Sequence, residues 1–387
     1  MIGAQERAPA RPGLLRLRPF WPAALPALVA LAGLLGPFGA GGEGLTGALA
    51  APLAALLALA LLPALHGGAW VVPAATPFAL AAAFLALLAQ RALPSVAGWG
   101  YWAVLGGALL AAVAATARVS VIDLQGHDPA WQHRLQRALP AAAVAFLLLL
   151  AWEGLVVGSR VPKGIFPRVS DIGAALVSSW SVLMADAYLT FVREVAFGLG
   201  VGLLFGFLVG TAVAFTPFLQ RGFLPLATAF GAVPIVGLAP VLGRALGVDW
   251  QSKAAVVVIV AFFPVVLNTV QGLTNVEPLK LELLRSYAAS PLQAFFRLRL
   301  PNALPYLFTA LKVAVVVGVV SVIVAEFLIP GPPNGLGQRI SLSAHRGAFD
   351  VVFAAILVSS LISMGIYAVV SLLERLLTGW HPSNRGS

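Results

Sequence analysis

The sequence predicts an all-α, polytopic membrane protein with about ten transmembrane helices. Two observations carry that prediction. Of 387 residues, 60% are hydrophobic and 10% are charged, where a soluble domain carries about 25% charged residues. The apolar residues also gather into windows of roughly 20, the length that crosses the hydrocarbon core of a bilayer as a helix. These windows fall near 20–38, 44–65, 70–90, 97–117, 138–159, 190–214, 222–244, 254–273, 305–328 and 350–373. A chain this apolar has too little polar surface to coat a water-soluble globule, which excludes soluble enzymes, soluble binding modules and disordered proteins.

Each segment has its own justification. Residues 1–19 carry Arg7, Arg11, Arg16 and Arg18. Ahead of an apolar run, they read as a basic cytoplasmic tail on a first membrane helix, with a signal peptide as the alternative. The first four windows, within 20–117, are rich in Ala, Leu, Gly and Pro and form an accessory bundle. Residues 118–137, with Asp123, His127, Asp128, His133 and Arg134, form a polar linker. The six later windows lie in a core over 138–376, and 377–387 is a second tail. With the N-terminus inside, 15 Lys and Arg residues fall on the inner side and 9 on the outer. Inner basic excess places both termini in the cytoplasm of a multi-pass plasma-membrane protein. The net charge of +10 is spread between apolar runs, so it reads as membrane topology rather than as a nucleic-acid surface.

Little in the chain suggests catalysis. Cysteine is absent, and the five histidines lack the spacing that puts two imidazoles on one helix face. No metal site and no cofactor is expected. Lys163, Lys253, Lys280 and Lys312 follow Pro, Ser, Leu and Leu, so none belongs to the Gly-Lys-Ser/Thr element of a P-loop.

A polar stretch between the windows ending near Gly272 and starting near Pro305 departs from a simple bundle. Leu281, Leu284 and Ala288 repeat at helical spacing, with Glu282 and Arg285 beside them. Ser290 before Pro291 reads as an N-cap followed by proline at the first helical position. The spacing predicts a short helix, a cap and a second amphipathic helix ended by Pro301. That helix places Ala294, Phe295 and Leu298 on one face and Arg297 on another. The pattern alone fits equally an amphipathic loop resting on the membrane and a docking element for a cytoplasmic partner.

The same residues resemble the cytoplasmic loop of the permease subunits of bacterial binding-protein-dependent ABC importers. That family's signature is Glu-Ala-Ala, three residues, Gly, nine residues, then Ile-x-Leu-Pro. Here Glu282-Leu-Leu284 is followed by Ala288 in the glycine place and by Leu298-Arg-Leu300-Pro301 in register. Flanking segments are similar in the same order: Gly231-Ala-Val-Pro234, Gly237-Leu-Ala-Pro240, Ser252-Lys253, Phe262-Phe-Pro264, Asn268-Thr269, Ala325-Glu326 and Gly335-Leu-Gly337. These resemble the nitrate, sulfonate, taurine and thiamine-precursor subfamily over about residues 140–376. Arg285-Ser-Tyr-Ala-Ala-Ser290, Thr190-Phe191 and Arg193-Glu-Val195 look most like its thiamine-pyrimidine and riboflavin branch.

The resemblance implies a type I ABC importer permease core. Loop 274–304 is then a coupling element through Glu282, Arg285, Ser286, Ala288, Ala289, Ser290, Pro291, Leu300 and Pro301. It docks a dimer of separate cytoplasmic ATPase subunits, which hold ATP and Mg; this chain binds no cofactor and is not itself an enzyme. An extracytoplasmic solute-binding protein delivers the solute, and two copies of the permease meet around the pathway in membrane lipid. The implied substrate is a thiamine pyrimidine precursor or a riboflavin-like heterocycle, with nitrate, sulfonate or taurine as the alternative. An ion-coupled secondary transporter is the rival class; it calls for carboxylates near mid-bilayer and no coupling loop.

Two further features stand out. Gly198, Gly202, Gly206 and Gly210 recur every fourth residue, a stripe that lets another helix approach closely. It reads as a static contact inside the bundle or as a packing face near the pathway or the dimer contact. Glu326, near the outer end of its window, either lines the pathway, pairs with a base such as Arg339, or sits in interfacial water. Arg193 and Glu194 are expected at the outer membrane surface, Lys253 against a binding protein or a lipid headgroup, and Glu153 as a depth marker.

Overall fold

The computed structural model describes residues 20–45, 47–67, 71–120, 130–230, 235–332 and 334–379. The basic tail, residues 121–129 of the expected linker, Gly231-Ala-Val-Pro234 and the last eight residues lie outside them. Among the described residues the regular structure is helical, with one isolated bridge between Gly39 and Ala97. The chain divides into two compact units, 1–170 and 171–387.

The first unit contains α1 (Trp21–Gly33), α2 (Gly47–His66), α3 (Ala75–Ala92), α4 (Trp99–Ser120) and α5 (Ala130–Gly158). Small side chains set its packing. Ala27, Ala79, Ala111 and Ala112 are buried together, and a Cβ on Gly107 would lie 2.5 Å from the Pro26 carbonyl. Helix backbones therefore touch directly, a usual source of association where the solvent is as apolar as the side chains. Tyr101 is fully buried and donates its hydroxyl to the Gly154 carbonyl at 2.9 Å. Glu153 is buried and pairs with Arg91, while Ser170 donates to it from both its amide and its hydroxyl. From its hydropathy the span 138–159 is expected with the core. The structure instead packs α5 against α3 and α4, and the compact units divide at 170/171.

The second unit takes in most of α6 (Val169–Ser178), followed by α7 (Trp180–Tyr188), a π-helical turn (Leu189–Ala196) and α8 (Phe197–Phe215). Next come α9 (Pro217–Phe230), α10 (Ile235–Leu246) and α11 (Trp250–Thr274), then α12 (Pro278–Ser286) and α13 (Pro291–Ala294). A second π turn (Phe295–Arg299) leads into α14 (Leu300–Leu328), and α15 (Leu336–His345) and α16 (Phe349–Thr378) complete the unit.

Eight helical segments among the described residues are long and apolar enough to cross a bilayer. The other two windows take different forms. The window 20–38 holds a 13-residue helix, and 222–244 is divided between α9 and α10. Apolar side chains point outward along the long helices, as in Leu148 at 66% and Met364 at 67% exposure, which fits lipid as the surrounding solvent.

The glycine stripe organises this unit. A Cβ on Gly198, Gly202, Gly206 or Gly210 would lie 2.6–2.8 Å from the Cβ of Val257, Ala261, Val265 or Thr269 respectively. Both partners advance by four residues per step, so α8 and α11 run parallel with backbones in contact. Parallel neighbours require the chain between them to return along the bundle, and α9 with α10 makes that return. Gly272 of α11 lies against Ala303, and Gly318 against Val257, which also meets Gly198. There the indices run in opposite senses, so α14 is antiparallel to α11.

Candidate functional site

At one end of the second unit, α11 stops and the chain runs outward through α12. Its last carbonyls are held from below: Arg299 Nη1 donates to Leu273 O at 2.7 Å and Asn302 Nδ2 to Gly272 O at 2.9 Å. Arg299 also lies over the Phe215 ring, 5.3 Å from its centroid. The root of the projecting loop is thus pinned to α8, α11 and α14, because a buried helix end needs partners for its free carbonyls.

The projecting part is locally rigid. Helix α12 has Pro278 in its first turn and closes with Ala289 N donating to Leu284 O at 3.0 Å and Ala288 N to Arg285 O at 2.9 Å. This double closure puts the intervening residue in the left-handed region, and Ala288 has φ +52°. The position is the one where the importer signature carries glycine, and the backbone explains why. A left-handed turn costs an L-residue roughly 1–2 kcal/mol, against an unfolded-state cost of about 0.4–1 kcal/mol for glycine. Ala288→Gly is therefore expected to slow hydrogen exchange at the amides of residues 289, 290 and 292–294, and Ala288→Val to speed it.

Ser290 caps the next helix as the Ser-Pro pair predicts. Its Oγ accepts from Gln293 N at 3.3 Å, and its own amide donates to Gln293 Oε1 at 2.8 Å, a complete capping box. The expected break at Pro301 does not occur. The turn Phe295–Arg299 widens to π geometry, and helix continues from Pro291 to Leu328. A widened turn accommodates the proline ring and its missing N–H, where a regular α-turn would clash.

Of the expected coupling residues, Glu282, Arg285, Ser286, Ala288, Ser290 and Pro291 are exposed, Ala289 is half-buried, and Leu300 and Pro301 lie at the root. Beside them four large apolar side chains stand in the open: Leu279 at 69%, Leu283 at 57%, Tyr287 at 77% and Leu292 at 69% exposure. A groove of about 510 Å³ lies along Glu277, Leu279, Lys280, Glu282, Leu283 and Ser286. Rigid backbone, exposed apolar groups and charges of both signs make a surface suited to a protein partner.

The opposite end of the same unit holds a buried cluster that the sequence placed elsewhere. Glu194 is fully buried, not at the membrane surface; Arg193 is the exposed one of the pair. Lys253 is 1% exposed, so it meets neither lipid headgroup nor binding protein. Its Nζ stands 4.0 Å from Glu194 Oε1. This pair extends the α8–α11 register one turn beyond Gly198 and Val257, and the four-residue spacing of Glu194 with Gly198 and of Lys253 with Val257 was its sequence signal.

Glu326 is also fully buried and does not pair with Arg339, which binds Asp186 at 2.7 Å instead. Its Oε1 accepts from Thr190 Oγ1 at 2.7 Å, and its Oε2 accepts from the amides of Gly337 and Gln338. Thr190 Oγ1 in turn accepts from Leu336 N at 2.9 Å. The carboxylate thus satisfies the free amides at the start of α15, where the helix dipole favours negative charge. The Gly-Leu-Gly segment follows from this approach: a Cβ on Gly335 would lie 1.9 Å from Glu326 Oε1, and one on Gly337 2.6 Å from Ile323 O.

An exposed, capped loop rises from a bundle of membrane-length helices, the build of a polytopic membrane protein. Residues 202–379 match the family described as binding-protein-dependent transport system inner membrane component. The chain is 32% identical over 255 residues to the formylaminopyrimidine transport permease protein ThiX of Halalkalibacterium halodurans, covering 64% of this chain and 98% of that one. It is 27% identical over 249 residues to the riboflavin transport system permease protein RibX of Chloroflexus aurantiacus, covering 64% and 91%. To the taurine transport system permease protein TauC of Escherichia coli it is 29% identical over 256 residues, covering 65% and 92%. The chain belongs to the binding-protein-dependent transport permeases, the membrane subunits of ABC importers, as the sequence reading expected.

Proposed function

We propose that this permease carries a small nitrogen heterocycle, of the thiamine-pyrimidine or riboflavin kind, inward across the plasma membrane. Relatives named for formylaminopyrimidine and riboflavin transport support that substrate class; relatives named for taurine, aliphatic sulfonates and nitrate keep those anions as the second reading. Both termini lie in the cytoplasm. A binding protein delivers the solute on the outer side, and two copies of the chain form the pathway between them. ATP and Mg reside on a separate ATPase dimer docked at loop 274–304.

The observation that carries the docking reading is the exposed, capped α12–α13 segment with Leu279, Leu283, Tyr287 and Leu292 in the open. Exposed apolar side chains on a rigid frame bind a preformed groove at small entropic cost. Glu282 and Arg285 add charged contacts at its rim, and the widened turn at Phe295–Arg299 joins the docked segment to α14 without a flexible joint. Glu326 acts on the pathway by positioning α15 rather than by facing solute.

Co-purification in detergent with the ATPase subunits tests this. The wild-type chain is expected to hold the ATPase and support hydrolysis. Glu282→Ala/Arg285→Ala is expected to lose the complex while the permease still inserts and runs as a single species. Transport driven by a proton or sodium gradient with no ATPase attached would overturn the reading.

A further inference from the structure

A groove of about 400 Å³ runs along the surface of the first unit between α3 and α5. Its floor is Leu87 and Leu150, 2% and 7% exposed. Its walls are Phe84 and Leu88 on one helix and Phe146 and Leu149 on the other, all between 42% and 54% exposed. Phe84 stands two turns before Arg91, and Phe146 two turns before Glu153, with both pairs lining the same groove. The two helices therefore run parallel here, and the apolar walls extend about 10 Å from a charged end.

That end is firmly built. Glu153 is 8% exposed and accepts from Arg91 Nη2, from the Ser170 amide at 3.2 Å and from the Ser170 hydroxyl at 2.9 Å. Arg91 Nη2 also donates to Ser170 Oγ at 2.8 Å. Among the described residues, Arg91 Nε and Nη1 meet no acceptor, and the side chain is 35% exposed. A guanidinium carries five N–H donors in a rigid fork. Arg91 is thus fixed through one nitrogen and presents the other two at the mouth of the groove.

The shape selects the occupant. Helices associate in lipid through small residues, and a helix about 10–12 Å across does not seat between phenylalanine and leucine walls. A thin, flexible hydrocarbon chain does. Arg91 is next to last in its membrane-length segment, the depth at which a chain lying in hydrocarbon meets its headgroup. Its free donors call for an oxyanion there, and guanidinium matches phosphate oxygens in paired bonds.

We propose that this groove binds one membrane phospholipid, with an acyl chain laid between α3 and α5 and its phosphodiester on Arg91. The inference does not depend on the substrate or on the ATPase.

Native mass spectrometry of the full chain, stripped of lipid in detergent and titrated with dioleoylphosphatidylglycerol, tests it. Wild type is expected to fill a first site with one lipid per chain. Its melting temperature should rise with added lipid, since a ligand of the folded state stabilises that state. Leu88→Trp fills the groove from an exposed position and leaves Arg91 in place. It is expected to weaken the first site about tenfold or more and to remove the melting shift. Leu148→Trp, on α5 outside the groove, is expected to bind as wild type does. Arg91→Gln keeps a donor for Glu153 and is expected to bind about tenfold more weakly. Dioleoylglycerol, with the same chains and no phosphate, is expected not to compete. Equal binding by Leu88→Trp and Leu148→Trp overturns the proposal, whether or not the Arg91 variant folds. So does competition by dioleoylglycerol at equal strength, tighter binding of oleate than of the phospholipid, or association of two chains through this face with no lipid retained.

Discussion

Gly206→Leu abolishes the folded core, measured as loss of a monodisperse species in detergent. A single added Cβ at this position would lie 2.8 Å from Val265 Cβ and 3.0 Å from the Phe262 carbonyl. Neither neighbour yields easily, since one is the branch point of a β-branched residue and the other is helix backbone. Gly206→Ala is therefore expected to cost about 1–3 kcal/mol, the usual range for overpacking. Leucine adds three more carbons along the same contact and forces α8 and α11 apart over several turns. Gly200 provides the control: it lies in the same helix with nothing within 4 Å of a Cβ, so Gly200→Leu is expected to fold normally. Equal loss in both variants would mean that α8 is intolerant of bulk in general and that the stripe has no special part.

Glu326→Leu is expected to be the second most damaging change. It removes the acceptor for the Thr190 hydroxyl and for the amides of Gly337 and Gln338, and each buried donor left unpaired costs roughly 1–3 kcal/mol. The loss should fall on α15 before the rest of the unit, because α8, α11 and α14 keep their own contacts. Limited proteolysis should then cut near residues 330–335 under conditions where wild type resists. Glu326→Gln retains one acceptor oxygen but turns an amide donor toward the others, and an intermediate effect is expected. If the leucine variant matches wild type in protease resistance, the carboxylate does not anchor α15.

The sequence made the helical architecture legible because a bilayer imposes length and hydropathy together, and few soluble patterns imitate both. The four-residue glycine stripe and the Ser290–Pro291 cap were equally readable, since each is a local rule with a steric or hydrogen-bonding cause. The charged groups were misplaced for the opposite reason. Glu194, Lys253 and Glu326 sit near the ends of apolar windows, where a position in interfacial water is the cheapest assumption. What buries them is the pairing of α8 with α11 and the return of α15 onto Glu326, which are tertiary facts. Pro301 misled because proline usually ends a helix; the widened turn before it is invisible in composition. The division at 170/171 was hidden because α5 is as apolar as the core helices, and only its packing against α3 and α4 assigns it.

The unbroken helical run from Pro291 to Leu328 has a mechanical consequence. Its 38 residues make a rod more than 50 Å long at about 1.5 Å per residue. One end carries the capped helix α13, and the other carries Glu326 with α15 attached. A tilt of one degree about the docked end displaces the far end by about 0.9 Å over that length, already a large fraction of a hydrogen-bond tolerance. On the proposed docking, a partner gripping α13 has a long-armed lever on the distant end of α14, and an angular change too small to disturb the loop itself suffices to load or release the contacts there.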